Sequence, residues 1–411
     1  MDIYCGIDWA EDHHDIALVD RDGQLLARRR ISDGAAGLAQ LLALLAEHGD
    51  TAEDPAPVAI ETPRGLLVAC LRASGRNVYP INSMAVARYR DRHSVAGRKS
   101  DHGDAVVLAG VRRTDIAMHR PLPAGSELAQ AIAVLARARQ DAVWDRTTAH
   151  NKLRSCLREY FPAFLAAFAA AKGGIMRSEA RTILAAAPAP GDAAKLTLTQ
   201  LRALLNKAGR NRGLDTEATR LREAFRVPQM RQLPLVEAAM GRPALALPGQ
   251  LDAACTSADD LEHAVTESFS LHPDAGIITS FPGLGALTGA RVLAEIGDDR
   301  SRFQDAQGLK AYPGAAPVTR ASGKSRSVTH RRVKNDRLAS AGYLWAFSAL
   351  TASPGARAHY DRRKEAGDRH AAAQRNLFGR LLGCLHHCLI TGQEYDEATA
   401  FPTRINLPAA A

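Results

Sequence analysis

No apolar run in the 411 residues approaches the roughly 18 needed to cross a bilayer. The opening MDIYCGID also lacks the zones of a secretory signal. A soluble cytoplasmic protein is expected. Cysteine is scarce: Cys5, Cys70, Cys156, Cys255, Cys384 and Cys388 are scattered too widely for a disulfide framework, which fits a reducing compartment. Acidic residues are in the minority, 44 against 53 Lys and Arg, for a formal charge of +9. That balance predicts a polyanionic partner and says nothing about fold. At 46% hydrophobic and 24% charged residues, global disorder is excluded, and the length predicts two to three domains.

The first 118 residues alternate between strand and helix patterns. IYCGID, HDIALVD and QLLARRRI read as three strands joined by hairpins, with a turn at Arg21-Asp22-Gly23. An Ala/Leu helix over 35–47, the buried strand VAIE (58–61), a helix over 65–73 and the strand NVYPIN follow. Two further helices flank the basic linker VAGRKSD, which carries Arg98 and Lys99. The order β-β-β-α-β-α-β-α is that of a ribonuclease-H-like mixed sheet with helices on both faces. Residues 119–272 read as a helical, coiled-coil-like linker region. Leu128, Ile132, Leu135, Ala142, Ala149 and Leu153 form a seam there, and breaks are expected at Gly173-Gly174, 188–191 and 243–249. Residues 273–360 read as a helical C-terminal domain, and 361–411 as a final helix and tail.

Asp8 ends the first strand, Glu61 the fourth, and Asp101 and Asp104 sit three apart at the start of a helix, on one face. Carboxylates converging on one point need cations between them, and these hard oxygen donors suit Mg²⁺ or Mn²⁺. Two such ions roughly 4 Å apart clamp the attacking and leaving oxygens of a phosphoryl transfer. Singly, each acid reads equally as a helix or strand cap. TSFPGLGALTGARVLAEIG has the form of a helix-hairpin-helix, with Gly283 and Gly285 in a turn whose N–H groups would face outward to phosphate. Beyond it Arg320, Lys324, Arg326, Arg331, Arg332, Lys334 and Arg337 are relieved by one acid, Asp336, which favours a phosphate-contacting surface. Ser322 lies within that run beside Gly323. Nearby cations would prime it as a nucleophile, while Ser-Gly is equally a common turn pair. Cys384-x3-Cys388 around His386-His387 has no second ligand pair and reads as two buried small hydrophobes. His13-His14 reads as a solvated loop, and Trp9, Trp144 and Trp345 as packing residues.

Taken together, GIDWA (Asp8), AIETPRG (Glu61) and RKSDHGDAVVLA (Asp101, Asp104) resemble the DEDD motif of the insertion-sequence 110 family of transposases. FPGLGALTGARVLAEIGD and FQDAQGLKAYPGAAPVTRASGK resemble that family's C-terminal transposase domain, departing from its pattern by an extra proline and by Ala315 in place of leucine. The resemblance implies a RuvC-like N-terminal domain, a coiled-coil linker and a helical C-terminal domain. It implies Mg²⁺ on the four acids and a serine, Ser322 by motif match, that attacks DNA and forms a phosphoserine link. It implies donor and target DNA as partners, a structured guide RNA from the same element, and a bacterial, nucleoid-associated setting. Exchanging two duplexes needs four strands cut, hence a dimer or tetramer, with the seam after Leu128 as its joint. Three other readings are a metal-dependent junction nuclease, a non-catalytic DNA-binding protein, and a sugar or acetate kinase. The last lacks glycine-rich phosphate loops and leaves Asp101 and Asp104 unexplained.

Overall fold

A computed structural model describes residues 3–93, 101–323 and 325–402, without the side chains of 92, 93, 101 and 102. The chain forms two compact units, Met1–Ala124 and Gly125–Ala411. The second runs together what the sequence suggested as a linker, a C-terminal domain and a tail.

The first unit follows the expected order: β1 (Ile3–Trp9), β2 (His13–Asp20), β3 (Leu25–Ser32), α1 (Ala35–Glu47), β4 (Val58–Ile60), α2 (Leu66–Ala73), β5 (Val78–Pro80), α3 (Ser83–His93) and α4 (Asp101–Thr114). The sheet order is β3-β2-β1-β4-β5. β1 pairs antiparallel with β2 and parallel with β4, and β4 pairs parallel with β5. Because side chains alternate along a strand, Ile3, Cys5 and Ile7 face a core shared with α1 and α2. The opposite face takes α3 and α4, with Ala59, Tyr79, Val86, Leu108 and Val111 buried between them. Helix α4 lies so close to β1 that a Cβ on Gly6 would stand 2.0 Å from the Ala105 carbonyl oxygen and 2.5 Å from Ala109 N. Only glycine permits that approach. His14 is 1% exposed within β2, so the expected solvated His13-His14 loop is a strand.

In the second unit α5 (Glu127–Tyr160) is followed by α6 (Pro162–Ala169), a short 3₁₀ turn at Gly174–Met176, α7 (Ser178–Ala186), α8 (Pro190–Lys195), α9 (Leu198–Lys207), α10 (Leu214–Arg226) and α11 (Pro234–Ser270). Helix α11 runs unbroken through Pro243 and Pro248, against the break expected there. Each interior proline costs about 3 kcal/mol. Burial of Ala244, Pro248 and Leu251 among α5 to α10 offsets it. α5 and α11 run antiparallel: Ile132 and Ala136 share a core with Val265 and Phe269, whereas Leu153 and Leu157 share another with Ala244 and Leu251. Arg139 pairs with Glu262 (2.5 Å) along the way. The seam on α5 is therefore covered by α11 of the same chain, which corrects its reading as a joint between subunits.

The chain continues through α12 (Ala275–Thr279), α13 (Ala286–Ile296), α14 (Ala306–Ala311), β6 (Val318–Ser322), β7 (Ser325–Thr329), α15 (Asp336–Ala352), α16 (Pro354–Glu365), α17 (His370–Thr391) and α18 (Glu397–Ala400). Trp345 is fully buried between Phe281 and Phe378 and donates from Nε1 to Pro282 O (3.1 Å). Trp9 and Trp144, both 47% exposed, are not core residues. β6 and β7 form an antiparallel hairpin, where an all-helical segment was expected. No described helix is long and apolar enough to cross a membrane.

Gly6→Ala should lower the stability of the N-terminal unit by about 3 kcal/mol, because the added methyl meets backbone that cannot rotate away. Urea unfolding followed by circular dichroism measures this; a loss below about 1 kcal/mol would show that α4 shifts freely.

Candidate functional site

Three of the four predicted acids share one face and one end of the sheet. Asp8 follows Gly6 by two residues, and Glu61 follows Ala59 by two, so both take the α4 side. Arg113, at the far end of α4, donates to Arg21 O (3.1 Å) in the β2–β3 turn, beside the start of β1. The start of α4, carrying Asp101 and Asp104, therefore lies at the end of the sheet where Asp8 and Glu61 sit. Glu61 accepts from Ser83 Oγ (3.4 Å). Asp104, 6% exposed, is bonded to the Arg90 guanidinium of α3. The Asp101 side chain, together with Arg98, Lys99 and Lys324, lies outside the described residues.

A further carboxylate that sequence reading missed stands on this face. Asp15 of β2 pairs across the ladder with Asp8, is 2% exposed, and is held by Arg30 at 2.7 and 3.1 Å. Its signal in the sequence was its period-two place in HHDIALVD, among residues otherwise destined for burial. In ligand type this face fits a hard divalent cation. In geometry, no group of three His, Cys, Asp or Glu among the described residues is assembled to hold one. Arg90 and Arg30 supply the positive charge that buried carboxylates require.

Ser322 sits at the tip of the β6–β7 hairpin, paired with Ser325 across a two-residue loop in which Gly323 has φ +55°. Positive φ in such a loop matches the strand twist, so Ser-Gly makes the turn whatever else it does. Nearly every described residue of the ribbon is exposed. Register puts Ser322, Arg320, Ser325 and Ser327 on one face and Arg326 on the other. The ribbon's sequence contains neither an acid nor a histidine.

The other predicted contacts divide. Arg320, Arg326 and Arg332 are exposed. Arg331 and Lys334 are half-buried at the hairpin's root, where Lys334 pairs with Asp336 (3.2 Å). Arg337 is turned inward, lying 5.0 Å over the Trp144 ring and bonding Asp141 at 2.7 Å. Gly283 (φ +82°) packs on α15, where a Cβ would stand 2.6 Å from Ala349 N, and Leu284 N donates back to Phe281 O. That part of the turn faces the core, contrary to expectation; Gly285, at the start of α13, is exposed. In α17 burial pushes the Cys384 and Cys388 thiols up, as for apolar packing residues.

A family model described as the DEDD transposase of IS110 matches residues 5–162, and one described as transposase, IS116/IS110/IS902 family, matches residues 275–361. The chain is 62% identical over 401 residues to the mini-circle transposase of IS117 from Streptomyces coelicolor, covering 98% of this chain and 97% of that one. It is 32% identical over 392 residues to a 44.8 kDa protein of insertion element IS116 from Streptomyces clavuligerus, covering 93% of each. It is 29% identical over 406 residues to a 42 kDa protein of IS900 from Mycobacterium paratuberculosis. The two matched blocks bracket the carboxylate face and the serine hairpin, and the chain belongs to the IS110 family of transposases.

Proposed function

We propose that this transposase cuts and rejoins DNA by two parts acting together: a divalent-metal site on Asp8, Glu61, Asp101 and Asp104, and a nucleophile, Ser322. The observation that carries the reading is that Asp8, Glu61 and the start of α4 lie at one end of the α4 side of a sheet ordered 3-2-1-4-5, the order of a ribonuclease-H-like fold. Mg²⁺ or Mn²⁺ held there would supply charge stabilisation at the scissile phosphate. Binding it requires Arg90 to release Asp104.

Ser322 Oγ attacks phosphorus, one P–O bond of the DNA backbone breaks, and the departing deoxyribose oxygen takes up a proton. The serine proton passes to solvent or to a base outside the ribbon, which itself has none. Attack by another strand's hydroxyl then reverses the exchange and frees the serine. A two-stranded ribbon fits the major groove, and Arg320 on the serine's face would meet phosphate. Arg326, Arg331 and Arg332 extend that surface, and Lys324, Arg98 and Lys99 add basic charge in the sequence. The +9 charge supports donor and target DNA, and a structured guide RNA, as partners. Four strand cuts call for two or four copies at the synapse, joined elsewhere than along α5.

Full-length protein, Mg²⁺ and a plasmid carrying the element with its flanks should yield a protein–DNA adduct resistant to denaturant. Ser322→Ala and Asp101→Asn should each abolish it. Its survival in Ser322→Ala would move the nucleophile, with Ser325 and Ser327 next in line. Metal-dependent cleavage with no adduct in any variant would favour a junction nuclease.

Salt dependence separates the cations. Removing Arg320 and Arg326 together should flatten the slope of log K against log salt by about two units. Arg337→Ala should leave the slope unchanged and cost about 1 kcal/mol of stability. The reverse pattern in a fluorescence-anisotropy titration would place the contact on α15 rather than the ribbon.

A further inference from the structure

Helix α13 carries a buried cation that no acid neutralises. Arg291 is 8% exposed, on a helix packed against both α5 and α15. It makes one hydrogen bond, donated from Nη2 to Ser340 Oγ at 3.3 Å. The acids around it are already committed. Glu295, one turn further along α13, is held by Arg137 (2.8 Å), Glu262 of α11 by Arg139 (2.5 Å), and Asp141 of α5 by Arg337 (2.7 Å). No carboxylate among the described residues pairs with Arg291 itself. Its charged neighbours include Arg139 and Arg337, and burial together with their like charge pushes its pKa down.

An arginine withdrawn from water without a counter-charge is costly, and here two further arginines repel it. An apolar side chain of similar length would fill the same space without that cost, and one long bond to a serine is a small return. A charge kept in such a place calls for an anion from outside the chain. The guanidinium can meet one. Its Nε and Nη1 make no hydrogen bond to the described residues, and neither is sealed from water. Donors set in a planar fork match the paired oxygens of a phosphate. The place suits the partner already inferred. Ser340 and Arg337 lie in the first turns of α15, whose cap, Asn335, closely follows the hairpin and its exposed Arg332. Arg291 therefore lies against the end of α15 that adjoins the ribbon's root.

We propose that Arg291 binds a backbone phosphate of the DNA that the ribbon engages, as a fixed contact at the ribbon's root. Arg139 and Arg337, each held by its own acid, add positive potential there without touching the strand. The proposal rests on the reading of the ribbon as a DNA-binding surface and not on the chemistry of Ser322.

The test uses the full chain carrying Ser322→Ala, in EDTA, so that no strand is cut. Binding to a mixed-sequence DNA duplex is followed by fluorescence anisotropy over a range of salt. Arg291→Met should flatten the slope of log K against log salt by about one unit. Arg291→Gln, which can still donate to Ser340 and loses only the charge, should do the same, whereas Arg291→Lys should keep the parent slope. Melting provides the second readout. Arg291→Met should melt no lower than the parent, because an unmatched buried charge is gone. Inorganic phosphate, against chloride of equal ionic strength, should raise the melting temperature of the parent more than that of Arg291→Met. General salt exclusion acts on both proteins alike and cancels in that difference. An unchanged slope in both the Met and Gln variants, with the Arg320 and Arg326 pair still flattening it, would overturn the proposal and leave the ribbon reading intact. So would a lower melting temperature for Arg291→Met together with an unchanged slope. No change of slope in either set would overturn both readings. Flattening with an RNA duplex and not with DNA would overturn DNA as the source of the phosphate.

Discussion

The N-terminal unit depends on one missing side chain. With no Cβ on Gly6, the backbone of α4 settles directly onto β1, and the first turn of that helix arrives beside the strand end that carries Asp8. Any larger residue would lift α4 and separate Asp104 from the sheet. The contact also buries Asp104, which explains why Arg90 is committed to it: a carboxylate removed from water needs a full positive charge close by. The same rule governs Asp15 and Arg30 on the adjoining strand. On this face the two buried acids Asp15 and Asp104 are thus each neutralised by an arginine from a neighbouring element.

In the second unit a buried carboxylate plays the corresponding part. Glu295, 3% exposed at the end of α13, accepts two bonds from Arg137 of α5 (2.8 and 3.1 Å) and one from Asn335 Nδ2 (2.7 Å). Asn335 also caps α15 by accepting from Leu338 N (2.7 Å) and bonds the Tyr312 hydroxyl (2.9 Å). One acid thus ties the long α5 helix to the point where the chain leaves the hairpin and enters α15. The exposed ribbon gains a rigid root in this way, although its own two strands bury almost nothing. Isolated two-stranded hairpins are marginal in water, so firmness at the root is what gives the tip a defined position.

Much of the first unit was legible because its signals are local. Alternation in IYCGID and HDIALVD, the turn at Gly23, and the Ala/Leu helix at 35–47 each follow from spacing a few residues long, and the structure has them all. The acids were legible as a set, since strand ends and a helix start are readable positions. The hairpin was not. PVTRASGKSRSVT has the β-branched residues of a strand, but its dense charge reads as a solvated run, and no core contact betrays it. The unbroken α11 was illegible for the opposite reason, because tertiary burial overrides two prolines that locally predict a break.

Residue type and short-range order alone determined that this chain carries a mixed sheet with acids at its strand ends, a basic serine-bearing segment, and long helices between. Partnership was decided only by the tertiary structure. α5 meets α11 of its own chain, Arg337 folds onto Trp144, Gly283 sits on α15, and Asp15 joins the acidic face. Each of these links residues far apart in the chain or across a ladder. A periodic stripe, a cation or a glycine announces that it needs a partner without saying which one. Which partner it finds depends on the packing of whole elements, because only there do shape, burial and charge compete at once.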